Sequence, residues 1–167
     1  MSLDSISVST IMSRSVKTVA EGRDMRAVCR VMRDNNIGSV VIVKTQEDEP
    51  IPIGIITERD IVRTLGRETV DLNEQLADFM SKPIITIQSN SSAREAIHLM
   101  NSKNIRRIIV VDSSGKMAGI LTQKDIFKEI SRNPNLITSF IGEKYPAEYR
   151  EVYTRFTDYM LDFVPKL

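Results

Sequence analysis

The chain has 167 residues, room for one or two compact cores but not for a large multidomain enzyme. Hydrophobic residues make up 41% and charged residues 27%, ordinary globular usage that excludes wholesale disorder, a collagen-like chain and a disulfide scaffold. With 23 Lys plus Arg against 22 Asp plus Glu, the net charge of +1 is too small to hold nucleic acid or anionic lipid by a global field.

The amino terminus carries Asp4 in a Ser-rich polar stretch where a signal peptide would have basic residues and an apolar core. No apolar run reaches the ~18 residues of a membrane span. A single cysteine, Cys29, cannot form an internal disulfide, in keeping with a reducing, cytoplasmic setting.

Residues 16–19 read as a short strand. Met25, Val28, Cys29 and Met32 then recur at helical spacing and predict a helix over residues 24–35, with Cys29 a small core residue on its apolar stripe. Arg23, Arg26, Arg30 and Arg33 form a basic stripe on the opposite side. Without an aromatic platform or a recognised reader motif, that stripe is expected to be a solvated face rather than a nucleic-acid contact. The β-branched run 40–43 predicts a strand, the polar, proline-containing stretch 45–52 a turn, residues 53–56 a strand, and residues 59–65 the start of a helix. A third helix follows with Ala93, Ile97 and Met100 on one face, then strands at 108–111 and 117–121 joined through Ser114-Gly115. His98 falls on the outer side of that helix, with no metal ligands near it in sequence. The strands are apolar on both faces, which calls for sheets covered by helices.

An internal repeat organises these elements. Ile11-Met12-Ser13 is echoed by Phe79-Met80-Ser81, Thr18 by Thr86, Met32 by Met100 and Asn36-Ile37 by Asn104-Ile105, all at a spacing of 68. After a hairpin three residues shorter in the second copy, Gly54-Ile55-Ile56-Thr57-Glu58-Arg59-Asp60 matches Gly119-Ile120-Leu121-Thr122-Gln123-Lys124-Asp125 at a spacing of 65. A copy of about sixty residues is too small to bury its own surface well, and two copies packed on each other solve that problem.

The doubled pattern resembles the tandem CBS-domain pair, also called a Bateman module. The two Gly-x-x-Thr-x-x-Asp segments carry the resemblance, with the Ile11-Met12 and Phe79-Met80 leads and Asn36-Ile37-Gly38-Ser39-Val40. The fold it implies is α/β (α+β): two β-α-β-β-α repeats, at 6–67 and 74–132, packed as one pseudo-twofold module, with a C-terminal helical extension at 133–167.

Each Thr-x-x-Asp has two readings. Thr at a helix cap with an acid in the first turn satisfies free backbone N–H groups and complements the helix dipole. The same geometry offers donors to a phosphate, and an Asp carboxylate can accept from both hydroxyls of a ribose. The resemblance implies the second use, with Asp on ribose, Thr and basic neighbours on phosphate, and apolar strand residues about an adenine. By that resemblance Thr57, Arg59 and Asp60 mark one cleft between the repeats, and Thr122, Lys124 and Asp125 mark the other. Thr18 and Thr86 would border base and ribose, as would Gly38-Ser39 and Arg106-Arg107 at the start of each second strand. The Arg pair has a bland reading, solubilising a strand start, and a functional one, meeting phosphate; either way the two clefts differ. Ile108 stands where the family pattern often has a proline after the basic residue.

Seven of the nine aromatic residues lie beyond residue 132, namely Phe140, Tyr145, Tyr149, Tyr153, Phe156, Tyr159 and Phe163. Pro146-Ala147-Glu148 suits the first turn of a helix running towards Val164. Tyr149, Val152, Tyr153, Phe156, Met160 and Phe163 give it one strongly apolar face, which at roughly 1.5–3 kcal/mol per large side chain will not stay in water.

The expected function follows from these pieces. The chain is read as a non-enzymatic cytoplasmic sensor that needs no cofactor and takes an adenine nucleotide (AMP, ADP or ATP) as regulatory ligand. It is expected to form a homodimer through its module faces and C-terminal helix, to regulate a protein partner, and to engage neither membrane nor nucleic acid. The alternative is a ligand-independent assembly protein working through the C-terminal helix. No Cys-His, Ser-His-Asp or paired-carboxylate arrangement suggests catalysis, and no metal site is predicted.

Overall fold

The helices begin and end where their side chains satisfy the free backbone groups. In a computed structural model of the chain, residues 2–46, 49–69, 75–133 and 136 are described. Their order is α1 (Val8–Ile11), β1 (Thr18–Ala20), α2 (Met25–Asn35), β2 (Ser39–Gln46), β3 (Glu49–Thr57), α3 (Glu58–Leu65), a 3-10 turn (Leu76–Asp78), β4 (Thr86–Gln88), α4 (Ala93–Lys103), β5 (Arg107–Val111), β6 (Met117–Thr122) and α5 (Gln123–Arg132). Each copy is therefore β-α-β-β-α, the mixed α/β arrangement expected. The predicted helix at 146–164 lies outside the described residues. No helix among the described residues is long and apolar enough to cross a membrane.

Asp24 caps α2 by accepting from the Ala27 N–H at 2.8 Å. α4 opens with a reciprocal box in which the Ser92 N–H donates to Glu95 Oε2 at 2.7 Å and the Glu95 N–H to Ser92 Oγ at 3.2 Å. Both helices end on an asparagine in the left-handed region, Asn36 at φ 50° and Asn104 at φ 52°, with the next N–H turned back to Met32 and Met100 at 3.0 and 2.9 Å. That is why Asn-Ile recurs in the repeat: asparagine is among the few side chains that adopt this conformation at low cost.

The described residues divide into two compact units, one of residues 14–46, 49–69, 75–86 and 111–119, the other of residues 2–13, 87–110, 120–133 and 136. In the first, the sheet order is β1-β2-β3, with β1 parallel and β3 antiparallel to β2. Val40, Val41, Ile42 and Val43 on the central strand are all buried, so both faces are covered. Met25, Val28 and Met32 of α2 join Val40, Ile42, Ile56, Leu76 and Phe79 in its core. In the second unit, Leu3, Ile6, Ala93 and Leu136 form a cluster with Ile11, Ile97 and Ile130 against it. The second sheet has the order β4-β5-β6.

The copies exchange their leading segments. Ser13, which precedes β1, bridges Ile120 on β6 through two backbone bonds of 2.9 Å, and Ser81, which precedes β4, bridges Ile55 on β3 at 2.9 and 3.3 Å. A Cβ built on Gly54 would fall inside the Met80 side chain. The glycine of the first Gly-x-x-Thr-x-x-Asp and the methionine of the second copy's lead are thus two halves of one close contact.

Two expectations are corrected. The stretch 45–52 is not a turn, because β2 runs to Gln46 and β3 starts at Glu49, pairing Val43 with Pro52 and Thr45 with Pro50. The strand tolerates two prolines because β3 is an edge strand, and the register shift between Ile42 and Val43 absorbs an extra residue as a bulge. Cys29 is exposed and not a core residue. The buried arc of α2 runs through Met25, Ala27, Val28 and Met32, and Cys29 falls just past its edge. Arg23, Arg26, Arg30, Arg33 and His98 are exposed, as read from their helical positions.

Candidate functional site

In the first unit the topology gathers the predicted residues at one end of a sheet. Thr18 opens β1 opposite Val41, and Ser39 opens β2 opposite Thr57, the last residue of β3. The chain then turns into α3, whose third residue is Asp60. Asp60 Oδ2 accepts from the Thr57 N–H at 2.8 Å and from Thr57 Oγ1 at 2.7 Å. Farther along, the buried Thr64 hydroxyl donates to the Asp60 carbonyl at 2.9 Å, so its polar group is satisfied within the helix. Arg59 is exposed at the second position of α3.

The second copy repeats this skeleton. The Thr122 N–H and Oγ1 donate to Asp125 Oδ2 at 2.8 and 2.6 Å, and the Asp125 N–H returns a bond to Thr122 Oγ1 at 3.3 Å. The capping reading of Thr-x-x-Asp is therefore realised in both copies. These cap bonds fall on Oδ2 of Asp60 and of Asp125, and the second oxygen of each carboxylate is a further acceptor of the kind a ribose hydroxyl uses. Lys124 and Arg106 are exposed and Arg107, the first residue of β5, is half-buried. Thr86 opens β4 and is exposed.

A backbone bond ties each strand start to the residue after Thr: the Glu58 N–H donates to the Gly38 carbonyl at 3.3 Å and the Gln123 N–H to the Arg106 carbonyl at 3.0 Å. The side chains at these matched positions differ. The Glu58 carboxylate lies over Gly38, so close that a Cβ there would sit 2.8 Å from Oε2. The first turn thus carries an acid over a bare glycine, and the second a neutral glutamine beside two arginines.

Asp125 also borders a cavity of about 240 Å³ between residues 10–13 and the Asp125, Lys128, Glu129 and Arg132 stripe of α5. This is a little below the ~300–1,000 Å³ usual for small-molecule sites, and of the residues predicted to meet ligand only Asp125 lines it; Thr86, Arg106, Arg107, Thr122 and Lys124 do not. Glu129 is engaged there by the Asn133 side chain at 2.8 Å, and Arg132 approaches it at 3.9 Å. Neither Glu58 nor this stripe was singled out from sequence. The i+3, i+4, i+7 spacing from Asp125 was available as a signal for the stripe; Thr10 and Ser13, more than a hundred residues away in the chain, gave none.

Comparison with known proteins agrees with the doubled architecture. A family model described as CBS domain matches residues 8–67 and 76–132. An uncharacterised protein of Methanopyrus kandleri is 40% identical over 125 residues, covering 74% of this chain, and the match spans 62% of that protein's length. Among solved structures, a CBS domain protein from Pyrobaculum aerophilum complexed with AMP is 28% identical with a TM-score of 0.68, covering 80% of this chain and 99% of that one. The CBS domain pair of protein MJ0100, in complex with 5′-methylthioadenosine and S-adenosyl-L-methionine, is 24% identical with a TM-score of 0.66, covering 75% and 96% of the two chains.

Proposed function

The chain belongs to the CBS-domain family, with two CBS repeats, and from that premise we propose that it is a regulatory module that binds an adenine nucleotide (AMP, ADP or ATP) at its Thr-x-x-Asp turns. The observation that carries this reading is the Thr-x-x-Asp device built in both copies, in which one carboxylate oxygen of Asp60 and of Asp125 caps the helix and the N–H after the threonine pins the start of the neighbouring strand. In this reading Asp60 and Asp125 hold ribose, and Thr57, Thr122, Arg59, Lys124, Arg106 and Arg107 meet phosphate. Thr18, Thr86, Gly38 and Ser39 border the base and sugar. The AMP bound by the Pyrobaculum aerophilum protein supports the choice of ligand class. The module reports occupancy by population shift, to a protein partner or to its own oligomeric state, and catalyses no reaction.

A thermal-shift panel tests it. A nucleotide at a hundred times its dissociation constant stabilises the fold by about 2.7 kcal/mol, which raises the midpoint by about 5–10 °C for a chain of this size. If AMP, ADP, ATP, S-adenosylmethionine and NAD all leave the midpoint unmoved, the reading fails.

Assembly is a second reading, favoured by apolar side chains left on the outer helices: Val62 is 67% and Leu65 60% exposed on α3, and Phe127 69% on α5. On this view the faces of α3 and α5, with the C-terminal segment, form a homodimer, whether or not a ligand is bound. Leu65→Glu and Phe127→Glu should each lower the mass measured by light scattering from dimer to monomer; an unchanged mass would remove these faces from the interface.

A further inference from the structure

The two turns have the same backbone and opposite electrostatics, and the difference centres on the residue that follows each threonine. At the first turn Glu58 brings a carboxylate over Gly38, at the sheet end where Thr18, Ser39 and Thr57 converge. The glycine is what lets it lie there, since any Cβ at position 38 would press on its carboxylate at 2.8 to 3.3 Å. At the second turn the matched Gln123 makes the same backbone bond without a charge, and the matched strand start supplies Arg106 and Arg107. Counting only the side chains at matched positions, Glu58, Arg59 and Asp60 carry a net negative charge, and Arg106, Arg107, Lys124 and Asp125 a net positive one. A phosphate entering the first turn meets a carboxylate with no compensating arginine pair, and Coulomb repulsion across a few ångströms opposes it.

We propose that the residue after the threonine sets the charge class of ligand at each turn. Glu58 reserves the first turn for an adenosine derivative without phosphate, neutral or cationic at its 5′ group, and Gln123 leaves the second turn to a phosphorylated nucleotide. The proposal rests on the adenine-nucleotide reading above and narrows it: the module senses two ligands of different charge, not two copies of one, so that phosphate is met by the second turn's residues and Thr57 and Arg59 border a 5′ group without phosphate.

Calorimetric titration of the full chain with AMP and, separately, with adenosine tests it. Wild type should take one AMP per chain. Glu58→Gln, which keeps the shape of the side chain, should raise AMP affinity at the first turn by about tenfold and bring a second AMP per chain, with adenosine affinity changed less than about twofold. Gln123→Glu should weaken AMP at the second turn by a similar factor and leave adenosine alone. Two equal AMP sites in wild type would overturn the proposal, as would an unaltered AMP isotherm in Glu58→Gln or equal changes for AMP and adenosine. Silence of wild type towards every adenine compound counts against the reading above and not against this one. The variant then decides separately, because a gain of AMP binding in Glu58→Gln upholds the role of Glu58 and continued silence rejects it.

Discussion

The two Thr-x-x-Asp turns are the same device built twice and dressed differently. In both, a threonine at a strand end and an aspartate in the first helical turn share two bonds of 2.6 to 2.8 Å, and the next N–H pins the start of the neighbouring strand. What differs is the side chain added to that frame, glutamate over glycine in one and glutamine beside two arginines in the other. Backbone geometry is therefore the constant part of the repeat, and ligand preference is carried by the few positions that do not repeat.

The strongest way to break the comparison is to strip the second turn of its cations. Arg106→Ala with Arg107→Ala should weaken AMP by about a hundredfold or more, since each charge-assisted bond to phosphate contributes about 1.5–3 kcal/mol. Calorimetry reads the loss, and binding within threefold of wild type would send the phosphate elsewhere. Next in size is Gly54→Ala, which drives a methyl into the space of Met80 and should cost about 1–3 kcal/mol in urea unfolding, with ligand affinity at the second turn preserved. A neutral effect would mean that Met80 yields freely.

Thr57→Ala and Thr122→Ala sharpen the comparison instead of breaking it. If the two skeletons are equivalent, each loses a similar cap of about 1 kcal/mol, seen as melting points lowered by about 2–4 °C and equal within error. Clearly unequal losses would mean that one turn is held by something else. The smallest effect concerns the other helix of each copy. α2 is capped by Asp24 alone, whereas α4 has the reciprocal Ser92 and Glu95 box. Bonds from the Ser92 backbone and hydroxyl hold the Glu95 carboxyl below the usual glutamate range. Because that pKa is depressed in the folded chain, its stabilisation is present above the ordinary glutamate value and is lost as pH falls through the folded one. An NMR titration of Glu95 should give a midpoint below that of an unstructured glutamate; an ordinary midpoint would mean that the box is open in solution.

Much of this was legible in the sequence because the determinants are local. Helical spacing, the Asn-Ile helix ends and the Thr-x-x-Asp turns each depend on residues within four or five positions of one another. What escaped depends on residues far apart or on topology. Pro50 and Pro52 read as turn residues until β3 is known to be an edge strand with a bulge. Nothing in Ser13 or Ser81 announces that each closes a strand of the other copy, and Gly54 needs Met80 beside it before its lack of a side chain has a reason. Cys29 was misplaced by the small angle between the edge of an apolar stripe and the first exposed position. The role of Glu58 was hidden differently: it stood inside the motif, overlooked beside the threonine and aspartate that repeat.

The central claim is that phosphorylated nucleotide belongs to the second turn and not to the first, and amide chemical shifts on titration with AMP test it residue by residue. The account predicts saturable shifts at Arg106, Arg107, Thr122, Gln123 and Asp125 while Gly38, Ser39, Thr57, Glu58 and Asp60 stay within the scatter of distant residues. Shifts confined to the first turn, or equal at both, would contradict it.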